Sequence, residues 1–210
     1  MPYFDLSHSL KNGMPFYPGT EAPHFSEACN IEKHGFKETR LQLLSHIGTH
    51  LDAPAHIFEA GASIDDLPLS HFTGKAFVLD VSNQAERIHL EMLKKYENEI
   101  STADFLILYS GWSQYWGTAA YFSGFPVLDK TAAVYLSQMH LKGVGLDTVS
   151  IDSTDNHNLP VHRIILSENT LIIENLKIPA EIIGKTVDFF AFPLKIEQGD
   201  GSPVRAVAHL

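Results

Sequence analysis

The sequence predicts a mixed α/β fold, and three observations carry that expectation. Short apolar runs of strand length recur along the chain, segments with helical spacing separate them, and roughly the first fifty residues are strand-rich and broken by turns. Asn12-Gly13 and Pro18-Gly19 supply those turns. A strand is predicted over residues 46–52, because His46, Gly48, His50 and Asp52 share one parity and would project from one face of an extended chain. On a helix His46 and His50 would still align, but Asp52 would swing away, and Gly48 and Pro54 both oppose helix formation. Pro54 cannot donate to a ladder, so the strand ends before it and His56 falls on the following loop.

Further along, residues 76–81, 105–109, 144–146, 171–173 and 187–192 read as buried strands. Between them, residues 90–100 carry apolar side chains at Leu90, Leu93 and Tyr96, which predicts a helix. Asp129 is placed to cap a helix running through residues 132–139. A last helix is predicted over residues 158–166, with Pro160 tolerated in its first turn. No internal repeat or low-complexity tract is visible.

The chain has 210 residues and no Gly/Ser-rich or charged linker, so residues 1–210 are expected to form one domain. A formal charge of −10, with a pI near 5.6 and no Lys/Arg cluster, lacks the electrostatic footprint of a nucleic-acid binder. The single cysteine, Cys29, excludes an internal disulfide framework and suits a reducing compartment. The N-terminal residues have neither a basic n-region nor an apolar h-region, and no apolar run of about 18 residues occurs, so a soluble cytoplasmic protein without membrane contact is expected.

His46-Ile-Gly-Thr-His50-Leu-Asp52-Ala-Pro-Ala-His56 is the segment richest in chemistry. Imidazoles with a carboxylate suit Zn²⁺, Mn²⁺ or Fe²⁺, whereas Ca²⁺ and Mg²⁺ sites are built mainly from oxygen. Structural zinc sites usually close with four protein ligands, often cysteines, so a catalytic site with an open position fits this chain better. Gly48 is expected to leave room between His46 and His50 for the ion. In the competing reading each histidine is a loop or core residue paired to backbone, and the ligand spacing is accidental. Further ligands are sought downstream, where His162 lies in the last predicted helix and Glu174 closes the apolar run 171–173. By spacing alone His162 and Glu174 are equally a surface cap and a solvated acid.

The motif, followed by His162-x11-Glu174-Asn175-Leu176, resembles the cyclase family of metal-dependent hydrolases, whose best-defined members are bacterial kynurenine formamidases. Asp5-Leu-Ser-His8, Pro15-Phe-Tyr-Pro18-Gly19, Gly145-Leu-Asp147-Thr-Val-Ser150-Ile-Asp152 and Gly201-Ser-Pro-Val-Arg205-Ala extend the likeness over nearly the whole chain. The resemblance implies a swivelling β/β/α domain with a mixed sheet and flanking helices, assembled as a homodimer or homotetramer. It implies that His46, His50 and Asp52 bind one metal, that Asp52 bridges to a second held by His162 and Glu174, and that His56 carries the catalytic proton. The metal is expected to be Zn²⁺, with Mn²⁺ the alternative, at one or two ions per subunit.

The expected activity is arylformamidase-like cleavage of N-formylkynurenine to kynurenine and formate by metal-activated water. The alternatives are an isatin-type or other cyclic amide, imide or lactone hydrolase, and a catalytically silent metal-binding oligomer. Tyr17 and Trp112, with Tyr115 and Trp116, are candidates to line a pocket for an aryl substrate, or else to pack in the core or an interface. A serine hydrolase is disfavoured, since Gly61-Ala-Ser63-Ile-Asp65 lacks the second glycine of a nucleophile elbow. Cys29 is read as a buried inert thiol despite His24 and His34 nearby in sequence.

Overall fold

The computed structural model describes residues 2–210. In chain order its strands are β1 (Tyr3–Asp5), β2 (His24–Cys29), β3 (Glu38–Gln42), β4 (His50–Asp52), β5 (Thr73–Asp80), β6 (Arg87–Ile88), β7 (Phe105–Tyr109), β8 (Val127–Leu128), β9 (Gly143–Leu146), β10 (Leu171–Glu174), β11 (Thr186–Phe190), β12 (Gly201–Pro203) and β13 (Val207–His209). The helices are α1 (Ile31–His34), α2 (Leu90–Lys94), α3 (Glu97–Ser101), α4 (Lys130–Ser137) and α5 (Pro160–Leu166).

Among the described residues nine strands form one sheet in the order β1-β13-β11-β5-β7-β9-β10-β4-β12. Its centre, β5-β7-β9-β10, is parallel, and each neighbour outside it is antiparallel. The central strands are apolar on both faces, as parallel strands covered on both sides must be. Phe77, Leu79, Leu106, Leu108, Val144, Leu146 and Ile172 point to one face, where Leu93 of α2, Leu136 of α4 and Ile165 of α5 cover them. Ala76, Val78, Phe105, Ile107, Leu171 and Ile173 point to the other, where they meet Leu51, Phe189, Ala206 and Ala208. The sheet therefore curls, and its outer strands enclose the second core. Burying each such side chain stabilises the fold by about 1.5–3 kcal/mol. No helix among the described residues is long and apolar enough to cross a membrane.

The expected mixed α/β class and most of its strands are present, and Asp129 caps α4 by accepting from the Ala132 amide at 2.7 Å. Three elements differ from expectation. Residues 90–100 form two short helices, because the chain turns at Tyr96, which has ψ 26°. Helix α5 starts at Pro160 rather than residue 158, since Leu159 adopts φ 48°. The strand predicted from residue 46 begins only at His50, because Gly48 takes φ +62° and redirects the chain.

One further pair, β2 and β3, stands apart as an arm linked by α1. None of α1 is buried and β3 is exposed throughout. Cys29 lies in this arm, half-buried with its thiol 3.7 Å from a Glu38 oxygen, so the expected burial is corrected.

Candidate metal centre

Strand β4 lies between β10 and β12, and its register sets Glu174 opposite His50 and Gly201 opposite Asp52. His50, Asp52 and Glu174 are all buried. Their contacts follow from that pairing: His50 Nε2 is 3.3 Å from Asp52 Oδ1 and 3.6 Å from Glu174 Oε2. His162 enters from the first turn of α5, with Nε2 3.4 Å from Glu174 Oε1 and 3.6 Å from Asp52 Oδ2. His46 arrives from the bend before β4, with Nδ1 2.6 Å from Asp52 Oδ1. Ligand atoms of His46, His50 and Asp52 lie within 4.8 Å of one another, as do those of Asp52, His162 and Glu174. Asp52 belongs to both groups.

The role expected of Gly48 is corrected by its surroundings. A Cβ there would meet Leu10 Cδ2 at 2.6 Å and Met14 Cε at 3.1 Å, so its missing side chain serves packing against the N-terminal segment. The glycine that makes way for a ligand is Gly201, where a Cβ would sit 2.6 Å from His46 Cε1.

Each of the three inward histidines is held from behind. His162 Nδ1–H donates to Asp152 at 2.8 Å, His50 Nδ1–H to the Gly48 carbonyl at 2.9 Å, and His46 Nε2–H to Asp200 at 2.8 Å. These partners only accept, so each anchors the outer nitrogen and leaves the opposite nitrogen facing the buried carboxylates Asp52 and Glu174. Asp152 also accepts from the Val161 and His162 amides, which pins the start of α5. Asn175, at φ 58°, donates to the same Gly48 carbonyl at 3.0 Å and accepts from the Tyr121 hydroxyl at 2.7 Å.

The charge balance shows what the cradle needs. Burial disfavours a charged His46, yet Asp52 and Asp200 outweigh it and push its pKa up to about 10. Burial likewise opposes charge on His162, while hydrogen bonds to Asp152, Asp52 and Glu174 raise it well above the ordinary value. For Asp52 burial would raise the pKa, but His46 and the surrounding imidazoles hold it well below the carboxylate range. The carboxylates thus demand positive charge in a dry space. Three anchored imidazoles, which would exchange their inward protons for the ion, and two carboxylates are the donor set by which a divalent cation would supply it.

His56 sits in a short 3-10 turn, Pro54–His56, its amide bonded to the Ala53 carbonyl at 2.9 Å. Its ring centroid is 3.9 Å from that of His46 and 6.1 Å from that of His162, and its Nδ1 faces Asp200 Oδ2 at 3.6 Å. Burial lowers its pKa, partly countered by Asp52. Above the cradle opens a cavity of about 470 Å³. Tyr17 and Trp116 line it. Trp112 and Tyr115 do not: the Trp112 ring packs on Tyr115 and Phe125, and its N–H donates to the Tyr121 carbonyl at 3.0 Å. The expectation that Trp112 lines the pocket is corrected accordingly.

Asp152, Asp200 and Asn175 had no assigned part in the sequence reading. Asp152 precedes α5 by too many residues to look like a cap, and Asp200 is remote from His46 in the chain. Their only trace was family likeness without a function attached, in the segments around residues 145–152 and 201–206 and, for Asn175, beside Glu174 in the downstream motif.

The profile of the Cyclase family, described as "Putative cyclase", matches residues 4–153. The kynurenine formamidase of Salinibacter ruber is 30% identical, covering 99% of this chain and 97% of its own. That of Bacillus mycoides is 29% identical, over 98% and 96%. Among solved structures, a "potential metal-dependent hydrolase with cyclase activity" superposes with a TM-score of 0.83 at 26% identity, over 99% of this chain and 96% of that one. An isatin hydrolase bound to thioisatinate shares the fold, with a TM-score of 0.89 at 21% identity, over 98% and 91%.

Proposed function

From the premise that this chain belongs to the cyclase family, we propose that it is a metal-dependent amide hydrolase that cleaves an aryl formamide into an aryl amine and formate. The observation that carries the proposal is the set of three imidazoles, each anchored on its outer nitrogen and turned inward on the other toward Asp52 and Glu174. His46, His50 and Asp52 would hold one divalent ion, and Asp52, His162 and Glu174 a second, with Zn²⁺ or Mn²⁺ suited to these donors. The ion supplies Lewis acidity, which makes water nucleophilic near neutral pH and polarises the carbonyl under attack.

His56 provides the proton transfers. It is held by its own turn beside His46, so it is free to take a proton from the attacking water and return it to the departing amine nitrogen. One C–O bond forms, the C–N bond breaks, and the water's second proton leaves with the formic acid. Asp200 Oδ2 lies 3.6 Å from His56 Nδ1, and a proton on that nitrogen would leave Nε2 available. The formamidase relatives make N-formylkynurenine the first substrate to test. The apolar cavity favours, as a second reading, a cyclic aryl amide such as isatin. The chain is further read as a homo-oligomer, for which the exposed arm offers a surface.

Elemental analysis of purified protein, followed by turnover of N-formylkynurenine and isatin with and without chelator, tests the proposal. Bound divalent metal and chelator-sensitive hydrolysis that returns with added Zn²⁺ or Mn²⁺ are expected. Undiminished hydrolysis by metal-free protein would overturn it, and stoichiometric metal without turnover of any aryl amide would indicate a silent metal binder.

A further inference from the structure

The floor and walls of the cavity differ in chemistry. The charged lining groups, Asp52 and Glu174 with the cradle's histidines, lie together at the floor. The walls are mostly aromatic or aliphatic, with Phe16, Tyr17, Leu44, Trp116, Phe122 and Leu159 prominent, and polar side chains among them such as Thr20 and Ser150 are uncharged. Among the described residues no lysine or arginine lines the cavity, although the chain carries 15 basic residues. The further titratable side chains on the wall besides Tyr17 are Tyr121, which is buried, and His157, which is exposed at the mouth.

We infer that the cavity selects an electrically neutral aryl amide and discriminates against the same reacting group carried on a zwitterionic amino acid. The carboxylate and ammonium at the far end of the substrate would give up their water against these walls, where no lysine or arginine answers the carboxylate. A neutral ring instead gains from apolar burial and from stacking on Tyr17 and Trp116. At about 470 Å³ the space suits a single substituted aryl ring. The inference rests on the proposed amide hydrolysis for its reacting group, and it concerns the opposite end of the substrate.

Two amides with the same reacting centre separate the two ideas. N-formylkynurenine and 2′-formamidoacetophenone share an ortho-acyl formanilide, and only the first bears the ammonium and carboxylate. With metal-loaded protein, kcat/KM is expected to be at least about tenfold higher for the acetophenone, chiefly through KM. The variant Leu44→Arg places a guanidinium at the wall outside the catalytic groups, and it should narrow or reverse that ratio. Equal or higher kcat/KM for N-formylkynurenine in the unaltered protein would overturn the inference while leaving amide hydrolysis intact. Calorimetric binding of the two amines, 2′-aminoacetophenone and kynurenine, reads the same preference without turnover. If neither amide is hydrolysed, the hydrolase proposal fails, yet tighter binding of the neutral amine still supports the selection and tighter binding of kynurenine still refutes it.

Discussion

The arm and the cradle, whose first part at His46–Asp52 follows the arm closely in sequence, are similarly rich in histidine and carboxylate, yet their polar groups live under different conditions. In the cradle, His50, Asp52, His162 and Glu174 are buried, and each imidazole has an acceptor behind it. In the arm, His24, Glu27, Glu38 and Arg40 face solvent, and Ile31, Phe36 and Leu41 are exposed to 70%, 54% and 59%. A lone two-stranded hairpin is marginal in water, so the arm gains little from its own contacts. A buried carboxylate must be matched by charge or hydrogen bonds, whereas a solvated one need not be. Substitutions of the same type should therefore have very different effects in the two regions.

Asp52→Ala offers the sharpest contrast, because Asp52 belongs to both ligand groups. Metal content measured by elemental analysis should fall to background together with hydrolysis, and retention of both would remove Asp52 from the centre of the site. His56→Ala should keep the metal and lose about 10²–10⁴ in kcat. Loss of metal in that variant would make His56 a ligand rather than a proton carrier. Asp152→Asn and Asp200→Asn, acting through His162 and His46, should each weaken metal affinity by about 10–100-fold in a competitive chelator titration. An unchanged affinity would show that the anchors do not matter.

The smallest effect is expected in the arm. Phe36→Ser and Leu41→Ser should each leave the unfolding free energy within about 0.5 kcal/mol in denaturant titrations. A much larger loss would mean that a second chain covers these side chains, as a homo-oligomer would.

The sequence showed the parts of this contrast that local physics encodes. The run at β7 is apolar on both faces and bounded by polar residues, and Asp129 bonds an amide three residues away, so both could be read directly. The break within residues 90–100 was invisible, since Met92, Leu93 and Ile100 all reach the same core and the apolar period continues across Tyr96. The ligand spacing of the motif was legible, but the assumption that His46 shares the strand with His50 was not sound, because a left-handed Gly48 reverses the chain between them. Asp152 and Asp200 were illegible for a different reason: they act through pairings between segments that only the folded sheet brings together.

Asp200 and Gly201 stand against His46, a partnership spanning most of the polypeptide. During synthesis the ribosome delivers the histidine-rich motif long before the segment that anchors His46 and leaves space for its ring. An early cation would meet loosely held imidazoles able to accept many geometries. On the proposed reading, correct metallation would come late, after residues near 200 emerge and after long-range strand pairs, which are slow to form, have closed.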